Sequence, residues 1–117
     1  MQVKDSFDIH AEEKNGVWIV KVSGVLDAET NMKFGVFLND LLDKGALRFI
    51  FDLSELGYIN SQGIGTLVSI FKKVEGKGRA CFLKPSQEVE HIIQLTGLKA
   101  LFTIKETESD AIAFCRA

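Results

Sequence analysis

An α/β domain, with a mixed sheet of about five strands and about four helices, is what this 117-residue sequence predicts. Three observations lead there. Apolar runs of strand length (VWIVKVSG, LRFIFDLS, RACFL) recur, with stretches of helical periodicity between them. An Asn-Gly pair at 15–16 marks a tight hairpin near the start. After that hairpin strands and helices alternate, so each helix is a crossover between roughly parallel strands. The order is β β α β α β α β α. With short connections throughout, residues 1–117 read as a single domain.

The hairpin takes residues 5–12 and 17–23. Its second strand has Val17, Ile19 and Val22 with Trp18 and Val20 between them, as expected of a strand covered on both faces. In DAETNMKFGVFLNDLLDKG, Asp27 or Thr30 caps a helix with Phe34, Phe37, Leu38 and Leu41 on one stripe, and Gly45 ends it. LRFIFDLS at 47–54 is a short buried strand. From Ser61 to Glu75 the helical period returns, with Ile64, Leu67, Val68, Phe71 and Val74 on one side, until GKG at 76–78 stops it. RACFL forms the next strand, and Pro85 leads into a helix capped by Ser86 and closed by Gly97, with Leu98 as its hydrophobic follower. FTIKE makes a last strand and ESDAIAFCRA a closing helix.

Composition narrows the function. Hydrophobic content of 46% and charged content of 26% are ordinary for a soluble globular protein. A net charge of −2 gives no reason to expect nucleic acid or an anionic membrane as partner. No stretch approaches the roughly 20 apolar residues of a membrane span, and MQVKDSFDIH has no signal-peptide core, so a cytoplasmic location is expected. Cys81 and Cys115 stand far apart, without CxxC spacing or nearby histidines, and read as reduced packing residues. His10 and His91 lack the companions that catalysis or a metal requires, and FKKVEGKG reads as a solvated face and turn. With no nucleophile–base pair, no metal cluster and no cofactor motif, no catalytic residue, metal or cofactor is expected.

The stretch YINSQGIGTL carries the functional interest. Partner sites of an open α/β sheet lie beyond the carboxyl ends of its parallel strands. GVLDAET and GYINSQG should both be there, with Asp27 and Ser61 as neighbours. A serine opening a helix has first-turn N–H groups and the positive end of the helix dipole beside it, a setting that favours phosphate. The spacing equally allows Asn60 or Ser61 to act as a plain N-cap. GIG alone is no nucleotide loop, since neither GxGxxG nor GxxxxGK[ST] is present. Gly63 and Gly65 would let another backbone approach closely. Met32 and Val36, four apart and opposite the core stripe of their helix, form an apolar pair suited to a secondary partner or dimer contact.

Over essentially its whole length the chain resembles STAS domains, the fold shared by sulfate-transporter tails and bacterial anti-sigma-factor antagonists. FDLSELGYINSQGIGTL is similar to the family's strand ending in D-[LF]-S, a short turn, and D-S-[ST]-G-[LI]-G opening a helix. VSGVLDAET matches G-x-[LI]-D-x-x-[TN], and IIQLTGLKALFTI the late L-[ST]-G-L segment. The resemblance implies a protein that binds an anti-sigma factor which is also a serine kinase, and that is released when phosphorylated on Ser61. It implies a partner surface of Asp27, Asn60, Ser61, Gln62, Gly63, Ile64 and Gly65. Two positions depart from the pattern: Asn60 replaces the motif's aspartate and removes a negative charge, and Gln62 replaces a second hydroxyl. Those departures favour an alternative, a non-phosphorylated scaffold or accessory subunit of a larger assembly. The expected oligomeric state is monomer or weak dimer.

Overall fold

The computed structural model of the protein describes residues 7–117. Five strands, β1 (Asp8–Lys14), β2 (Val17–Leu26), β3 (Arg48–Ile59), β4 (Arg79–Leu83) and β5 (Ile104–Lys105), form one sheet in sequential order. β1 runs antiparallel to β2, and every later pair is parallel. The helices among the described residues are α1 (Ala28–Asp43), α2 (Ser61–Val74), α3 (Gln87–Thr96) and α4 (Glu108–Arg116), with a 3₁₀ turn at Lys99–Leu101. The expected fold class is therefore observed. Residues 5 and 6 of the expected first strand lie outside the described residues.

Sequential strand order has a direct consequence for layering. Crossovers between parallel strands are right-handed, so three in the same direction place α1, α2 and α3 on one face. That face buries Phe34, Phe49, Phe51, Leu67, Phe82 and Ile93 in one core. Phe51 is its hub, with ring centroids of Phe34, Phe71 and Phe82 each 6.3 Å away. The opposite face is left to α4, which covers Val17, Ile19, Ile50, Cys81 and Leu83 with Ala111 and Cys115. The hairpin turns as its residues require: Asn15 and Gly16 have φ of 56° and 80°, the left-handed pair of a type I′ turn.

Several elements differ from expectation. β3 continues five residues past Ser54, to Ile59. The period-two pattern breaks there because register shifts at Lys21/Ser23 and Gly24/Val25 offset the β2–β3 pairing, with Gly24 at φ 92°. Leu53, Leu56 and Ile59 are consequently all buried at a spacing of three. The buried stripe of α2 is Gly63, Ile64, Leu67, Ile70 and Val74, while Val68 and Phe71 are only half-buried, because α2 packs on α1 as well as on the sheet. β5 shrinks to two residues, with Phe102 in the core and not in the strand. The two cysteines, distant in sequence, are neighbours: their Sγ atoms lie 3.9 Å apart.

Candidate functional site at the strand ends

β2 and β3 end side by side. Leu26 pairs with Ile59, and the Asn60 N–H donates to the Leu26 carbonyl at 2.9 Å. Asp27 and Asn60 are thus the next residues on adjacent strand ends, each opening a helix. The expected juxtaposition of Asp27 with the Ser61 turn is what this register produces.

At the second of these helix starts the N-cap is Asn60, whose Oδ1 accepts the Gly63 N–H at 2.9 Å. Its Nδ2 donates to Gln62 Oε1 at 3.4 Å. Ser61 is the first helical residue, is exposed, and its hydroxyl makes no hydrogen bond within the described residues. Capping, one of the two readings open for Ser61, falls to its neighbour. At this N-terminus the amides of Ser61 and Gln62 have no partner within the described residues, and the positive end of α2 lies beside them.

Asp27 caps α1 through a capping box with Thr30. Its Oδ1 accepts from the Glu29 and Thr30 amides at 3.1 and 3.0 Å, and its own N–H donates to Thr30 Oγ1 at 2.9 Å. Bonds from the Thr30 amide and hydroxyl, with the Glu29 amide, hold the Asp27 carboxyl below its usual range. All three bonds that the described residues donate to the carboxylate fall on Oδ1, which leaves Oδ2 open to further donors.

The remaining predicted residues divide between surface and interior. Gln62 and Gly65 are exposed, but Gly63 and Ile64 face inward. A Cβ on Gly63 would sit 2.8 Å from Ile59 Cγ1 and 3.2 Å from Leu26 Cβ. The first glycine of GIG therefore lets the helix start settle onto the two strand ends, and the expectation that Gly63 admits another backbone fails because Ile59 and Leu26 fill that space. Gly65 meets nothing within 4 Å and remains open to one. Met32 and Val36 are exposed (74% and 72%) beside Ile9 and Phe37, as their spacing predicts.

Three residues near the site escaped sequence reasoning. Thr66 Oγ1 donates to Asn31 Oδ1 at 2.9 Å, a bridge between α2 and α1 on the wall of a groove of about 390 Å³ that Gln62 and Gly65 also line. Such a tertiary pair leaves no periodic signal. Tyr58 is 48% exposed at the end of β3, next to Asn60 and Ser61. Its aromatic side chain two residues before the cap was the available clue, since tyrosine is enriched where partners dock.

Comparisons with known proteins bear on the fold and the family. The model of the STAS domain family matches residues 8–111. BtrV of Bordetella bronchiseptica, named a candidate anti-sigma factor antagonist, is 28% identical over 102 residues, covering 85% of this chain and 86% of its own. The anti-sigma F factor antagonist of Paenibacillus polymyxa is 25% identical over 111 residues, covering 92% and 93%. Among solved structures, an anti-sigma factor antagonist from Mycobacterium paratuberculosis superposes with a TM-score of 0.88 at 24% identity, over 100% of both chains, and shares the fold.

Proposed function

The chain belongs to the STAS domain family, and from that premise we propose that it is an anti-sigma-factor antagonist: a binding module, without catalysis of its own, that Ser61 phosphorylation switches off. Its partner on this reading is a cytoplasmic anti-sigma factor that is also a serine kinase, and the whole chain acts as one domain. The contact surface comprises Ser61, Gln62 and Gly65, with Asn60 and Asp27 at its base. The observation that carries the proposal is the exposed hydroxyl of Ser61, unbonded among the described residues, on a helix start already capped by Asn60.

Phosphorylation would add about −1.5 to −2 charges at neutral pH and three acceptor oxygens. The amides of the first turn accommodate such a group without rearrangement, while Asp27 adds negative charge nearby. A partner docked there meets a dianion where it met a hydroxyl. Each 1.4 kcal/mol of lost contact lowers affinity about tenfold.

The test is mass spectrometry of the protein after incubation with ATP and lysate of its own organism. A phosphoryl group on Ser61, absent from Ser61→Ala, and weaker kinase binding by Ser61→Asp are expected. An unmodified mass, in a lysate that phosphorylates a related antagonist, overturns the proposal.

A second reading, a non-phosphorylated scaffold, is favoured by the exposed Met32 and Val36 beside Ile9 and by the neutral Asn60. It requires a stable oligomer, which size-exclusion chromatography with light scattering distinguishes from a monomeric switch.

A further inference from the structure

The second, smaller core contains chemistry that the strand-end site does not use. Cys81 on β4 and Cys115 on α4 are both fully buried, with Sγ atoms 3.9 Å apart. An S–S bond is about 2.05 Å long. The sulfurs are therefore about 1.9 Å farther apart than bonded ones, and forming the bond requires a movement of that size. Among the described residues no third His, Cys, Asp or Glu completes a group around them, so the pair is short of a zinc site.

The surroundings set the two sulfurs apart. Arg48 Nε donates to the Cys115 carbonyl at 2.8 Å, and Arg79 Nη1 to the Phe114 carbonyl at 3.2 Å. Two guanidiniums thus clasp the last turn of α4. The Cys81 thiol and these two cations together pull the Cys115 thiol below its ordinary range, whereas hydrogen bonding to Cys115 and burial push Cys81 up.

α4 rests on the sheet through a thin apolar contact. Its fully buried side chains are Ala111 and Cys115 alone, both small, with Ile112 and Phe114 half-buried. Local opening of so thin a contact is the route by which a small oxidant would reach the two sulfurs.

We propose that Cys81 and Cys115 are a redox-active dithiol that a hydroperoxide converts to an intramolecular disulfide, stapling α4 to β4. The Cys115 thiolate attacks the peroxide, breaking the O–O bond; sulfur is oxidised to a sulfenic acid and hydroxide leaves. Cys81 sulfur then attacks the Cys115 sulfur, the S–O bond breaks, and the hydroxyl departs as water with the Cys81 proton. The thiolate's original proton neutralises the first hydroxide. In total two thiols and one hydrogen peroxide give one disulfide and two waters. The bond closes a loop between residues 34 apart, long enough to stabilise the folded state substantially.

The experiment uses the full chain, reduced and then treated with a few equivalents of hydrogen peroxide. The excess is destroyed, and the protein is unfolded in N-ethylmaleimide. The expected product is monomeric, takes up no maleimide, and weighs 2 Da less than the reduced chain, one S–S bond replacing two S–H bonds. Its non-reducing digest joins the peptides carrying Cys81 and Cys115, and dithiothreitol restores both thiols. Two maleimides per chain, a sulfinic acid on either cysteine, or disulfide-linked dimers alone would each overturn the proposal. Cys81→Ala and Cys115→Ala should each abolish the 2 Da loss, and the wild-type result is decisive if either variant folds poorly.

Discussion

The division of labour between Asn60 and Ser61 makes a quantitative claim about stability. Asn60 Oδ1 accepts the Gly63 N–H at 2.9 Å, and Gly63 is buried. Asn60→Ala removes the acceptor and leaves that donor without a protein partner. Loss of an N-cap costs about 1 kcal/mol and reaches about 2 in protein hosts, and a buried unsatisfied donor places the effect toward the upper end. For a chain of 117 residues each kcal/mol moves the midpoint by roughly 4 °C, so Tm should fall by about 4–8 °C. Ser61→Ala removes an exposed hydroxyl that bonds to no described residue and installs a better helix former, so its change should stay within about 0.5 kcal/mol. Asn60→Asp keeps the acceptor and adds charge at the positive end of α2, and should equal or exceed wild type by a few tenths of a kcal/mol. Urea and thermal unfolding followed by far-UV circular dichroism at pH 7 measure all three. If Ser61→Ala is destabilised as much as Asn60→Ala, the cap is misassigned and the hydroxyl is not free for modification.

Two further outcomes follow from the same helix starts. The Asp27 carboxyl titrates below its ordinary 3.8 in the folded chain, so its contribution is complete above that value and lost as pH falls through the lower folded one. Urea unfolding between about pH 5 and pH 2 should therefore show a steeper loss for wild type than for Asp27→Asn, and parallel curves would contradict the capping-box account. Gly63→Ala should destabilise by about 1–3 kcal/mol, since its Cβ meets Ile59 Cγ1 at 2.8 Å, whereas Gly65→Ala, with nothing within 4 Å, should stabilise by roughly 0.5–1 kcal/mol. Equal effects at the two glycines would show that only helix propensity separates them from alanine.

The legible parts of this sequence were those governed by local chemistry. Asn-Gly at 15–16 specifies its turn because only such residues accept left-handed φ in succession. Asp27 and Ser86 cap the helices that they precede, as their side chains dictate. Tertiary offsets were not legible. Extra residues in β3 at the two register shifts carry the β2–β3 pairing on to Ile59, and nothing in ELGYI alternates to announce it. GKG reads as a stop signal, yet Gly78 also lies against the Leu47 backbone, where a Cβ would come 1.9 Å from the carbonyl oxygen. The pairing of Cys81 with Cys115 depends on α4 taking the face left open by three right-handed crossovers, a property of the whole chain order. At the candidate site the motif located Ser61, but only coordinates separate the residue that caps from the residue left free.

The extension of β3 to Ile59 bears on how a switch at Ser61 would work. The strand ends at Ile59, the cap is Asn60 and the helix begins at Ser61, so no loop intervenes. The cap is hydrogen-bonded back to Leu26, and Gly63 beneath it is packed on Ile59 and Leu26. Phosphate often acts by ordering or melting a loose segment, and this helix start has no slack to order. A phosphoryl group on Ser61 would meet a backbone already in place, so its effect on a partner would come from charge and occupied volume at a fixed position. Amide chemical shifts should then change between wild type and Ser61→Asp only around the ends of β2 and β3 and the first turns of α1 and α2. Changes spreading into β4 or α4 would mean that the sheet itself responds, and a rigid electrostatic switch would no longer describe the molecule.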